Sequence, residues 1–232
     1  MSVNPHVATI AALIAEPSRA AMLTILLDGR SHTAGELASM ARIKPQTASF
    51  HLTKMVDAAL VAVHRQGRHR YYGIRNPEVA GVMESLLTMA KPAEIRSLRQ
   101  SDEDRAIRHA RTCYDHLAGR VGVLVTNALL ERHILADRED RFVLGEAGER
   151  HFAELGIDLA AVRRQRRSFL HKCLDWSERY PHLGGALGHA LLERFVASGW
   201  IERQGGTRAV RVTEKGIRCL RDWLGVEVED RR

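Results

Sequence analysis

The sequence predicts an α+β chain, mostly helical, in which short β-hairpins punctuate runs of helix. Three observations lead there. Apolar residues recur three and four apart through most of residues 7–60 and 77–90, the period of helices with one buried face. Residues 61–74 break that period with two strand-like runs around Gln66-Gly67-Arg68, as a hairpin does. The second half then repeats itself, Leu117-Ala118-Gly119 returning as Leu183-Gly184-Gly185 at an offset of 66 residues.

The elements follow in order. Residues 7–15 read as a short apolar helix, and Pro17 with Ser18 opens a second that stops at Asp28-Gly29. Thr33 starts a third, with Glu36 three residues later to complete a capping box and Leu37, Met40 and Ala41 on its buried side. A fourth helix, 45–58, follows the tight Arg42-Ile43-Lys44 connection. Pro45 suits its first turn, where a missing N–H costs nothing. Two helices joined so closely, the second polar on its exposed N-terminal face, make a helix-turn-helix. Residues 61–65 and 69–74 are the strands of a hairpin with a basic tip. The helix at 77–90 carries Val79, Val82, Met83, Leu86, Leu87 and Met89, an apolar side too broad for a lone surface helix, and Lys91-Pro92 ends it.

On the fourth helix, Gln46, Thr47, Ser49 and His51 would meet base edges and nearby phosphates, with Lys44 at its start and Lys54 nearer the backbone. Arg65, Arg68 and Arg70 on the hairpin would reach phosphates or the minor groove. The charge agrees with such a partner. The chain of 232 residues has a net charge of +7, and residues 1–93 hold the denser excess, 10 Lys/Arg against 6 Asp/Glu. A further basic run, Arg163-Arg164-Gln165-Arg166-Arg167, reads either as a solvated helix face or as a second phosphate-contacting patch.

No run approaches the ~18 apolar residues of a membrane span and no signal segment opens the chain, so a cytoplasmic protein with no membrane partner is expected. Cys113, Cys173 and Cys219 lack any CxxC spacing and read as reduced thiols. There is no GxSxG, HExxH, phosphate loop or dinucleotide-binding glycine motif, so an enzyme is not expected.

The helices and hairpin of residues 7–90 resemble the ArsR/SmtB family of winged-helix transcriptional regulators. The resemblance rests on Glu16-Pro17-Ser18-Arg19, Gly35-Glu36-Leu37-Ala38, Thr47-Ala48-Ser49-Phe50-His51-Leu52 and Gly67-Arg68-His69-Arg70-Tyr71-Tyr72, and covers the first 40% or so of the chain. It implies a homodimer, joined through the first and last helices of this region, that represses promoters on double-stranded DNA until an effector binds. Arginine often stands in the family where Phe50 stands here, so Phe50 would touch a thymine methyl in place of a phosphate contact. Family metal sites use cysteines of the third helix or Asp and His of the fifth. Residues 33–41 contain no Cys, and 77–90 contain neither Asp nor His. DNA binding would need no cofactor, and effector chemistry moves to the C-terminal part.

The expected organisation is therefore residues 1–93 for DNA binding and dimerisation, a charged linker at 94–106, and a duplicated C-terminal domain at 107–232 that either binds an effector or stabilises the dimer. That domain would hold two repeated, winged-helix-like units of helix, hairpin and helix. Phe142-to-Gly148 matches Val210-to-Gly216 at an offset of 68, the slip falling in a loop. On a helix beginning near Ile107, His109, Cys113 and His116 would share one face and could hold a transition metal or metalloid, with Cys173 or His171 as a fourth ligand. The same Cys113 also lies with Ala110, Leu117, Val121 and Leu124, so a plain core residue or an oxidisable thiol are the other readings. Tyr114, Asp175, Trp176, Arg179 and His182 could line a small-molecule pocket between the repeats; otherwise Trp176 is core and Asp175-Arg179 a surface ion pair. Two further functions stay open: an architectural DNA-binding protein without effector, and a cysteine-dependent enzyme.

Overall fold

The computed structural model of the chain describes residues 7–91, 94, 95 and 97–229. It comprises two compact units that divide between Leu86 and Leu87.

The first unit runs α1 (Val7–Ala15), α2 (Pro17–Leu26), β1 (His32–Thr33), α3 (Ala34–Met40), α4 (Pro45–Asp57), β2 (Val61–Gln66), β3 (His69–Ile74) and α5 (Pro77–Met89), whose last turn crosses the division. Local chemistry sets these boundaries. The Glu16 carboxylate accepts from the Ser18 and Arg19 amides ahead of Pro17 and so caps α2. The capping box of α3 is complete: Glu36 N–H donates to Thr33 Oγ1, and Thr33 N–H donates to Glu36 Oε2 at 2.7 Å. Met22, Leu23, Leu26, Leu37, Leu52 and Met55 are fully buried between the helices. Each such side chain contributes about 1.5–3 kcal/mol on leaving water.

The hairpin β2–β3 turns over Gly67-Arg68, with Gln66 opposite His69 and Gly67 at φ +58° as a two-residue turn requires. The sheet has a third strand, β1, in the order β1-β3-β2. It pairs only His32 with Tyr72 and Thr33 with Tyr71, too short a run to show a period. Asp28 holds the turn before it, its Oδ2 lying 2.8 Å from both His32 Nε2 and Arg30 Nε.

The second unit departs from the sequence expectation in two ways. Most of the expected linker is helix: α6 (Leu98–His109) starts on a Ser97 cap and carries the pairs Arg99–Glu103 and Arg108–Asp104 at i,i+4. Pro92, expected to end the preceding helix, lies outside the described residues. Each helix of the expected repeat is also preceded by a hairpin. The order is β4 (Arg111–Cys113), β5 (His116–Ala118), α7 (Gly119–Glu131), β6 (Leu135–Asp137), β7 (Phe142–Leu144), α8 (Gly148–Glu154) and α9 (Leu159–Arg163). Then come β8 (His171–Leu174), β9 (Pro181–Gly184), α10 (Gly185–Ala197), β10 (Ile201–Arg203), β11 (Val210–Val212) and α11 (Glu214–Leu224).

Packing in this unit is crosswise. Helix α7 lies against β9, and α10 lies against β5. Glycines let each helix close on the strand before it, and Gly188 also admits the strand across. A Cβ on Gly122 would stand 2.6 Å from Leu117 O, and one on Gly188 would stand 2.4 Å from Leu183 O and 3.2 Å from His116 Cβ. Around this contact Val121, Val125, Leu129, Leu187, Leu191 and Phe195 form one apolar core with Phe142, Phe152 and Leu220.

Candidate nucleic-acid interface and a buried Cys-His cluster

Helix α4 has two unlike faces. Ala48, His51, Leu52 and Met55 are buried, a three-and-four spacing that turns one side into the core. Gln46, Ser49, Phe50 and Lys54 are exposed, Thr47 is half-buried, and Lys44 stands exposed at the N-cap. Phe50 is 57% exposed, with the Lys54 ammonium 4.4 Å from its ring centre. An exposed aromatic ring beside a cation suits a thymine methyl next to a phosphate.

His51 is a correction. It was expected to face the groove, but it stands on the Ala48 and Leu52 side and is 8% exposed. Its Nδ1 is 3.2 Å from Arg19 Nη1 and its Nε2 is 3.5 Å from Glu16 Oε2. Arg19 in turn donates to the carbonyls of Leu13 and Ala12, so the cluster ties α1, the cap of α2 and the middle of α4 together. His51 therefore sets the pose of the helix.

On the hairpin, Arg65, Arg68 and Arg70 are all exposed, and Arg65 lies directly opposite Arg70 in the register. Like charges facing across strands repel, a cost that an anion lying over the pair removes. The exposed face of α4 and this basic hairpin thus offer donors and cations of the kinds that meet base edges and phosphates. The Arg163–Arg167 run is less available. Arg163 pairs with Glu149 and Arg167 with Asp115, leaving Arg164 and Arg166 as the exposed cations of the run.

The second unit buries a different chemistry. Cys113 and His116 do not share a helix face with His109. His109 ends α6, while Cys113 and His116 face each other across the β4–β5 hairpin, whose turn is Tyr114-Asp115 with Tyr114 at φ +58°. Cys173 and His182 face each other in the same way across β8–β9. The two hairpins bring Cys113 Sγ within 3.6 Å of Cys173 Sγ, and His116 Nε2 within 3.2 Å of His182 Nε2. Of the expected ligands, Cys113, His116 and Cys173 meet; His109 and the exposed His171 stand outside, and His182 takes the fourth place.

Each histidine has a carboxylate behind it. His116 Nδ1 lies 3.4 Å from Asp115 Oδ1, and His182 Nδ1 lies 3.2 Å from Asp175 Oδ2, off the line of a good hydrogen bond. The carboxylates are anchored by arginines, Asp175 by Arg111 at 2.9 Å and Asp115 by Arg167. Burial opposes a charge on His116, but the neighbouring Cys113 and Asp115 outweigh it and raise its pKa to about 10. Asp115 and Asp175 are both held well below the usual carboxylate range: burial raises them, and the histidine and arginine partners lower them further.

The expected pocket is likewise corrected. Asp175 has no exposed side chain and spends its oxygens on Arg111, the amides of Gly119, Ser177 and Glu178, and the Ser177 hydroxyl. His182 is fully buried in the cluster, and Arg179 is exposed. Trp176 is half-buried as a lid over the Arg111 guanidinium, 4.5 Å from its ring centre. A local signal for the cluster was present in the sequence. Cys113-Tyr114-Asp115 returns as Cys173-Leu174-Asp175 at an offset of 60, whereas His116-Leu117 returns as His182-Leu183 at 66. The six residues 176–181 inserted between Asp and His conceal the match.

A helix-turn-helix flanked by a three-stranded sheet with a basic wing defines a winged-helix DNA-binding protein. Residues 14–64 match the helix-turn-helix domain family HTH_20. The chain is 46% identical to the uncharacterized HTH-type transcriptional regulator YdfF of Bacillus subtilis (strain 168), over 97% of this chain and 100% of that protein. It therefore belongs to the HTH-type transcriptional regulators, DNA-binding proteins of the helix-turn-helix class, and carries a further C-terminal unit beyond the matched domain. Among solved structures, HlyU from Vibrio cholerae N16961 is 24% identical, with a TM-score of 0.34, over 36% of this chain and 89% of its own. The homodimeric winged helix-turn-helix domain Mb0332 of Mycobacterium bovis is 20% identical, with a TM-score of 0.35, over 42% of this chain and 100% of its own.

Proposed function

We propose that the chain is a homodimeric transcriptional repressor that lays α4 in the major groove and its wing along the backbone. Gln46, Thr47, Ser49 and Phe50 read base edges, Lys44 and Lys54 flank them on phosphates, and Arg65, Arg68 and Arg70 hold the adjoining phosphates or minor groove. The observation that carries this reading is the division of α4 into a buried face and an exposed polar face, with three exposed arginines on the hairpin that follows.

Dimerisation is supported by unpartnered apolar surface on the first and last helices of the first unit. Helix α1 is a nine-residue apolar segment with no buried residue, and Val82 and Leu86 on α5 are 51% and 39% exposed. The second unit is a duplicated domain whose halves each run hairpin, helix, hairpin, helix, and it is the part through which an effector would relieve repression. An architectural role is less well supported, because two arginines of the 163–167 run are already paired within the unit.

Selection of bound duplexes from a random pool tests this reading. The expected product is an inverted repeat with half-sites about one helical turn apart, bound with two chains per duplex. Recovery of duplexes without shared sequence would overturn it in favour of architectural binding. Val82→Glu with Leu86→Glu should give a monomer by light scattering; an unchanged dimer would move the interface elsewhere.

A further inference from the structure

The four donor atoms of Cys113, His116, Cys173 and His182 lie within 4.8 Å of one another, and three of the four residues are buried. Each thiol and each imidazole of one hairpin meets its counterpart of the other, Sγ to Sγ at 3.6 Å and Nε2 to Nε2 at 3.2 Å. If each Nδ1 carries its proton toward the carboxylate behind it, both Nε2 lone pairs point into the same 3.2 Å gap. A cation in that gap turns this repulsion into ligation. The carboxylate behind each imidazole is also the outer partner that metal-bound histidines characteristically keep, since it fixes the tautomer and strengthens the donor.

Distances agree with one size of ion. Zinc sits about 2.3 Å from thiolate sulfur and about 2.0–2.1 Å from imidazole nitrogen; a tetrahedron with such arms has edges of about 3.8 Å between sulfurs and about 3.3 Å between nitrogens. The corresponding separations here are 3.6 and 3.2 Å. A mixed set of two sulfurs and two nitrogens selects a thiophilic ion over magnesium or calcium. Binding would release both thiol protons, and two thiolates would cancel the dication, so that no net charge is left in a buried place.

We propose that Cys113, His116, Cys173 and His182 form a closed Cys2His2 site for one zinc-class divalent cation, which clamps the two hairpins of the second unit to each other. Four protein donors leave no open position, so the ion is a structural clamp and not a centre for hydrolysis. All four residues belong to the second unit, and failure of this proposal would leave the DNA-binding reading untouched.

The test uses the full chain, reduced and stripped by a chelator, then titrated with Zn2+ or with Co2+ as a spectroscopic substitute. The expected result is one equivalent bound per chain, a thiolate-to-cobalt charge-transfer band with tetrahedral ligand-field absorption, and a thermal midpoint raised by several degrees. Cys173→Ser should lose the band and the rise, while Cys219→Ser keeps both. Absence of stoichiometric uptake by the reduced parent chain would overturn the proposal, a measurement that requires no variant to fold. A Cys113–Cys173 disulfide whose reduction restores no uptake would overturn it too, and so would a cobalt band that survives in Cys173→Ser.

Discussion

Arg111 and Asp175 meet 2.9 Å apart in an ion pair with no exposed surface on either side chain. Arg111 belongs to the first hairpin of the second unit, and Asp175 follows the first strand of the third. Asp175 also receives the Gly119 amide at the start of α7, so one carboxylate joins strand, turn and helix. Trp176 covers the guanidinium from above.

Removing one partner of such a pair leaves an uncompensated buried charge, and Asp175→Ala should cost about 3–5 kcal/mol. Urea unfolding followed by tryptophan fluorescence would measure it. Replacing both partners by apolar residues, Arg111→Met with Asp175→Leu, should cost less than Asp175→Ala alone. A double variant as unstable as the sum of its singles would mean that the pair is not coupled.

Asp28 gives a pH prediction for the first unit. Burial raises its pKa, but hydrogen bonds from His32 and the Arg30 amide, with both cationic neighbours, bring it below the ordinary carboxylate value. A depressed carboxylate stabilises the fold fully above its unfolded pKa of about 3.9, and that contribution is lost as pH falls through the folded value. The parent should therefore melt above Asp28→Asn near neutrality, and the gap should narrow progressively below about pH 4. A gap unchanged between pH 7 and pH 3 would refute the assignment.

His51→Ala should behave as a stability variant. Losing its contacts to Arg19 and Glu16 leaves a buried guanidinium without one partner, which costs about 1–3 kcal/mol. Operator affinity would fall only as far as the fold loosens, and the preferred sequence would not change. A relaxed preference at one base position would return His51 to the groove.

How much of this was legible in the sequence depends on the range of the signal. Helix α4 and its wing were readable because Pro45, the apolar spacing and the Gly67-Arg68 turn act over a few residues. His51 was misplaced because it is polar, and a polar residue reads as exposed until its partners, 32 and 35 residues earlier, are known. Strand β1 has two residues and no period, and α6 was hidden in a charged stretch whose helical support is mostly ion pairs. In the second unit the sequence points to Cys113, His116 and Cys173, yet it places the first two on a helix with His109, where the structure has a hairpin. The hairpin turn at Tyr114 needs a left-handed backbone on a residue that does not announce it, so the apolar spacing ran on unbroken into α7.

The most direct test of the DNA-reading account is a fluorescence-anisotropy titration of the selected operator and a scrambled duplex at one fixed salt concentration, with the parent and with Gln46→Ala and Ser49→Ala. Each variant should bind the operator about 5- to 150-fold more weakly, the worth of about 1–3 kcal/mol per base contact, while its affinity for the scrambled duplex stays unchanged. Operator binding equal to the parent in both variants would contradict the claim that the exposed face of α4 reads the sequence.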